Sequence, residues 1–177
     1  MFLEGQKTGL RPIKEEDAIL FQEWINDQEI NQYLLAYFPM TLMAEKKWIE
    51  DTSRSKDKLV LTIVTKIPVD GKPIGNVALE KINHKDGHAT FGVFIGEKDY
   101  QECGYGTEAA KLMIDFGFNQ LNLHRIDSSA LDFNKRSINM HLKLGFKKEG
   151  CRRQKIFKNG LYHDEVLFGL LREEWKK

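Results

Sequence analysis

The sequence predicts a single domain of the α/β (α+β) class, a mixed and mostly antiparallel sheet flanked by helices. Three observations lead there. Helical spacing dominates the first part of the chain. Three strand-like runs joined by short turns fill the middle, and two strand–helix units with an Asn-Gly hairpin close it. At 177 residues the chain is the size of one self-sufficient core, and no linker, repeat or low-complexity tract divides it, so residues 1–177 read as one domain.

The elements follow in order. Residues 7–13 are a short extended run, and Ala18, Phe21, Trp24 and Ile25 then fall on one helical face. A second helix is expected over residues 41–54, with Leu42, Trp48 and Ile49 turned inward. Leu59–Thr65 is rich in branched residues and is followed by an Asp70-Gly71 turn signal. Residues 74–82 and 89–95 make two more strands around Asp86-Gly87, and links this short imply antiparallel neighbours. A long helix carries Ala109, Leu112, Met113 and Phe116, with Gly117 expected to fray it. Arg125–Leu131 alternates as a strand, and a helix over residues 136–144 stops at Gly145. Runs 155–158 and 162–171 flank Asn159-Gly160, the strongest short-range hairpin signal.

Composition excludes several function classes. Lys and Arg number 27 against 26 Asp and Glu, a net charge of +1, so no broad attraction to DNA or an anionic membrane is expected. Arg152, Arg153, Lys155 and Lys158 read as a solvated strand face. The longest apolar stretch, residues 34–38, falls far short of the ~18–20 needed to span a bilayer. The first residues lack the apolar core of a secretory signal, and Cys103 and Cys151 cannot build a disulfide framework. A cytoplasmic protein is the expectation. His84 and His88 straddle a turn and make no metal site. Trp24, Trp48 and Trp175 are core candidates.

The informative stretch is Gln101-Glu102-Cys103-Gly104-Tyr105-Gly106-Thr107, between a strand and a helix. Gly104 and Gly106 let backbone N–H groups approach a bulky anion, and the first turn of the new helix offers unpaired N–H groups and a favourable dipole. Thr107 could add a hydroxyl. A pyrophosphate suits this loop, while a loop that merely turns the chain is the alternative. The same letters satisfy Gly-x-Gly-x-x-Ala ending at Ala109, with Asp127 at the distance of a ribose carboxylate. Polar residues 96–100 separate this turn from its strand, and antiparallel hairpins precede it, which argues against a nicotinamide-binding fold.

Two motifs together make the chain resemble the GCN5-related N-acetyltransferases (GNAT). Gln101 to Gly106 matches Gln/Arg-x-x-Gly-x-Gly/Ala, and Asn134, Ser137 and Leu144-Gly145-Phe146 match the downstream element. Leu10-Arg11-Pro12, Leu123-His124-Arg125-Ile126, Glu149-Gly150, the Asn159-Gly160 hairpin and Tyr162-His163-Asp164 are similar to the ribosomal-protein-alanine (RimJ/RimL-type) branch, and much of the pattern is shared with spermidine acetyltransferases. The resemblance implies acetyl-CoA as cosubstrate, held at the strand–glycine loop–helix junction. Phe94 and Ile95 would offer backbone groups to the pantetheine amides. The backbone of Gln101, Glu102, Cys103, Gly104, Tyr105, Gly106 and Thr107 would hold the pyrophosphate. Asn134 and, one turn on, Ser137 would meet the pantetheine arm, and Lys135 or Arg136 would reach a nucleotide phosphate or remain solvated.

The resemblance also names candidates for the chemistry. His141 stands where many family members carry a tyrosine that protonates the departing thiolate; a helix histidine without chemistry is the alternative. Ser137 is the second candidate donor. Ile156 stands near the place where some ribosomal-type relatives carry an acid, so Glu80 is the candidate to bind the amine or take its proton, against an exposed edge carboxylate. Tyr33, Tyr37 and Phe38 are candidates to wall the acceptor cleft, or else form a core or dimer contact. The acceptor implied is a protein N-terminus, a polyamine or another small amine, and related chains are often homodimers. A non-catalytic acyl-CoA-binding sensor is the alternative function.

Overall fold

The computed structural model describes residues 1–66 and 71–175. Asp70 of the expected Asp70-Gly71 turn lies outside them. In chain order the elements are β1 (Leu3–Glu4), β2 (Thr8–Pro12), α1 (Asp17–Asn26), α2 (Gln28–Asn31), α3 (Leu42–Arg54), β3 (Leu59–Thr65), β4 (Pro73–Asn83), β5 (His88–Ile95), α4 (Tyr105–Asn119), β6 (Arg125–Leu131), α5 (Lys135–Lys143), β7 (Lys147–Lys158) and β8 (Leu161–Leu171). Among the described residues the strands form one sheet in the order β1-β2-β3-β4-β5-β6-β8-β7. Every pairing is antiparallel except β5 with β6. That exception follows from the connection: α4 carries the chain back across the sheet, as a parallel neighbour requires.

Helix α4 packs on one face and makes the main core. Met113, Ile114 and Phe118 meet Ile63, Leu79, Ile126 and Leu170, all essentially inaccessible to solvent. Gly117 does not fray this helix, which runs on to Asn119. A Cβ there would stand 3.1–3.3 Å from the tips of Leu79, Leu123 and Ile126, so the glycine is a point of close helix–sheet approach. The opposite face carries a smaller cluster of Phe21, Trp24 and Ile30, against which Phe94 and Trp48 pack. Asp17 ties α1 to β2 through a two-pronged contact with Arg11, each arm 2.7 Å, and accepts from Thr62 Oγ1 at 2.9 Å.

Helix α3, capped by the Thr41 hydroxyl on Ala44 N–H at 3.1 Å, buries Glu45 to 1% exposure. Burial pushes this carboxyl up to about 7. The group is favoured in its neutral form, so its contribution to stability is present below the unfolded value and is lost as pH rises through about 7. Glu45→Gln is expected to leave stability unchanged at pH 5 and to add about 1–3 kcal/mol at pH 8.5. Urea denaturation at the two pH values checks this.

Candidate active site

Strands β5 and β6 pair at only three rungs, His88↔Arg125, Ala89↔Ile126 and Thr90↔Asp127, and then part. At the vertex Ser128 Oγ lies 3.0 Å from the Phe91 carbonyl. Beyond it β5 stays paired with β4 on its far side. Every second backbone amide of β5 therefore faces the gap, where an extended ligand with its own amides can complete the ladder. A cavity of about 560 Å³ opens here, running from the glycine loop past residues 91–95 and 128–131 to Ile30, Tyr33, Leu34 and Leu35.

At one end stands the N-terminus of α4. Gly104 has φ of +89°, a conformation that glycine adopts without steric cost. The N-cap residue, Gly104, makes no side-chain cap to the first turn of the helix. The first-turn carboxylate, Glu108, is turned away from the cavity. It accepts from the N–H groups of Gln6, Lys7 and Thr8 at 2.7–2.9 Å and so removes its own charge from the loop. Gln101 braces the loop, donating from Nε2 to the Ile95 carbonyl at 3.0 Å. Arg136 donates to Gln101 Oε1 at 3.2 Å and sits over the Tyr33 ring at 5.0 Å. Of the expected loop residues, Gln101, Glu102, Gly104, Gly106 and Thr107 line the cavity. Cys103 and Tyr105 turn their side chains to a separate depression with Lys7 and Lys72, and can serve only through their backbone.

Helix α5 flanks the other side of the gap. Asn134 caps it, its side-chain oxygen accepting from Ser137 N–H at 3.1 Å, which leaves the amide NH₂ for a ligand. Ser137 also lines the cavity. His141 lines the cavity as well, from a buried position. It is 3% exposed, stacked at 4.8 Å on Phe168 and edge-on to Phe91 and Phe146. Nδ1 lies 2.7 Å from the Ser137 carbonyl, which can only accept, so this nitrogen carries the proton. Nε2 lies 2.7 Å from Ser128 Oγ. Burial holds the imidazole below its ordinary range, against a hydrogen bond that pulls it up. The ring bridges α5 and the vertex of the fork, with both nitrogens engaged inside the protein. Ser137 keeps a hydroxyl free of such short contacts, its nearest being 3.4 Å to His141 Nδ1.

Glu80 stands outside the cavity, as the edge-carboxylate alternative expects. It pairs with Thr90, level with the closed part of the fork, and its half-exposed carboxylate lies 3.7 Å from Lys58 Nζ. It does not line the cavity because the strands part only beyond it. Tyr33 does line the cavity, whereas Tyr37 and Phe38 are exposed at 80% and 73%. Sequence reasoning missed Glu165 of β8, a buried carboxylate on the cavity wall. No local motif marks it, since its neighbours come from β6 and β7.

The donor set fits acetyl-CoA: a helix N-terminus without a side-chain cap for a pyrophosphate, a strand edge facing the fork for the pantetheine amides, and a hydroxyl on α5. When bound, acetyl-CoA supplies an acetyl group activated as a thioester. Residues 7–147 match the family model described as Acetyltransferase (GNAT) domain, and the chain belongs to that family. It is thus an acetyl-CoA-dependent N-acetyltransferase. Across 97% of its length it is 30% identical to the SPbeta prophage-derived uncharacterized N-acetyltransferase YokL of Bacillus subtilis, 94% of which is covered. Across 94% of its length it is 29% identical to the spermidine N(1)-acetyltransferase of Escherichia coli K12, covering 87% of that protein. The spermidine N-acetyltransferase of Vibrio cholerae, solved with CoA and spermine, shares the fold with a TM-score of 0.87 at 21% identity, over 94% of this chain and 96% of that one. Among the described residues, no helix is long and apolar enough to cross a membrane.

Proposed function

We propose that this enzyme acetylates the N-terminal amine of a polypeptide whose leading residues are apolar. The observation that carries this reading is the character of the acceptor mouth. Leu34 and Leu35 line the cavity, and Tyr37 and Phe38 continue the same loop outward. The tip of the β7–β8 hairpin adds Phe157, Leu161 and Tyr162, each at least 60% exposed. Lys158 joins the two, donating to Asn31 Oδ1 at 3.0 Å and to the Ala36 carbonyl at 2.8 Å. An apolar rim of this kind suits side chains of a peptide.

A polyamine calls for several carboxylates along its length. The cavity wall carries two, Glu102 and Glu165, too few to line a chain of several ammonium groups. Amine basicity points the same way. An α-amine with a pKa of about 7.7–8.0 is substantially neutral near pH 7.5, whereas an alkylamine of about 10.4 is neutral about once in a thousand molecules. Within this reading the N–H groups of residues 104–107 hold the pyrophosphate, Phe94, Ile95 and Asn134 hold the pantetheine arm, and Ser137 protonates the departing thiolate. Likeness to spermidine acetyltransferases supports the rival acceptor, and turnover separates them. Acetyl-CoA-dependent thiol release is expected to favour Ala-, Ser- and Met-starting peptides with apolar second residues over spermidine and spermine by about tenfold or more in kcat/KM. A preference for the polyamines would overturn the assignment.

A further inference from the structure

We infer that Glu165 is the group that receives the acceptor amine. The inference rests on the amine-acetylation reading above and extends it to a residue outside both sequence motifs. Glu165 stands opposite Leu131 of β6 and Arg152 of β7. Its neighbours Val166, Phe168 and Leu170 point into the α4 core, so by strand alternation Glu165 points to the other face, shared by Phe94 and the α1–α2 cluster. Ser129 lies on that face too, one residue beyond the vertex of the fork. Its hydroxyl donates to Glu165 Oε1 at 2.9 Å, and Arg152 donates to Oε2 at 2.9 Å. Ser137 belongs to α5, on the opposite side of the sheet. The fork thus has a carboxylate on the side open to the acceptor and a hydroxyl donor on the side of the helix.

An alternative account makes Glu165 half of a structural cross-strand ion pair. Burial argues against it. The Arg152 side chain is 58% exposed while that of Glu165 is 11% exposed, and a largely solvated partner returns little for desolvating a carboxylate. Each carboxylate oxygen has one donor and keeps a lone pair for another, as an incoming ammonium requires. In the reaction, one ammonium proton passes to Glu165 and on to solvent. The freed nitrogen lone pair attacks the thioester carbon, the C–N bond forms, and the C–S bond breaks with its electron pair on sulfur. A second nitrogen-bound proton is lost, and sulfur gains one through Ser137, so one proton is released per turnover.

The test uses the full-length protein and whichever amine of the acceptor panel it turns over best. Glu165→Gln is expected to lower kcat/KM for that amine about 100-fold, mainly through KM. Acetyl-CoA affinity, measured by calorimetry, is expected to stay within about twofold, because Glu165 lies away from the phosphate loop. Arg152→Gln separates the two accounts without touching Glu165: freeing the carboxylate is expected to lower KM for the amine about two- to fivefold. Values of kcat/KM within threefold of wild type in Glu165→Gln, or a raised KM in Arg152→Gln, would overturn the inference while leaving the enzyme reading intact. Acetyl-CoA binding with no turnover of any amine would overturn both together.

Discussion

Gly106→Asp is expected to weaken acetyl-CoA binding by at least about 100-fold while leaving the protein folded. The residue lies in the first turn of α4 and lines the cavity. A Cβ there would meet Ile95 Cγ1 at 3.4 Å, the edge of ordinary contact, so the backbone has room for a side chain. A carboxylate in a first helical turn also suits the helix dipole, so folding is not opposed on that account. What the substitution opposes is the ligand. Two like charges about 4 Å apart at an effective dielectric of 20 repel by about 4 kcal/mol, which is more than two decades in affinity. Titration calorimetry against acetyl-CoA, with a thermal melt beside it, measures both sides. Unchanged affinity would remove the glycine turn from the cofactor site.

Ser137→Ala is expected to lower kcat about 100-fold with acetyl-CoA affinity within twofold, the signature of a lost general acid. The helix itself is little affected, because the cap at this position runs from Asn134 to the Ser137 backbone N–H. His141→Gln supplies the contrast. The ring fills a slot between Phe91, Phe146 and Phe168, so its loss acts on packing. A lower melting temperature with kcat per folded molecule within about threefold is the expected result. If His141→Gln abolished turnover and Ser137→Ala did not, the proton donor would be the histidine after all.

These roles show what a linear sequence discloses and what it hides. That the glycine turn, Asn134 and Ser137 would line one cavity was legible, because the family resemblance rests on short motifs that each lie within one loop or one helical turn. The position of His141 was legible and its state was not, since burial by three phenylalanines from β5, β8 and the α5–β7 connection leaves no local trace. Whether Glu80 reaches the cavity could not be read from the sequence, because the level at which β5 and β6 separate is a property of strand register. Glu165 was invisible for the same reason, with partners 36 residues back at Ser129 and 13 back at Arg152. β7 proved to begin at Lys147 and not at residue 155, because an outer strand exposed along most of its length shows no apolar alternation. The four-residue α2 was too short for any periodic signal.

The most direct test of the account is a crystal structure with CoA bound. The pyrophosphate is expected within hydrogen-bonding distance of the N–H groups at residues 104–107, with the pantetheine arm extended between β5 and β6. The sulfur is expected on the Ser137 side of the fork, with Glu165 facing it from the acceptor side. CoA bound at any other surface, with the fork empty, would contradict it.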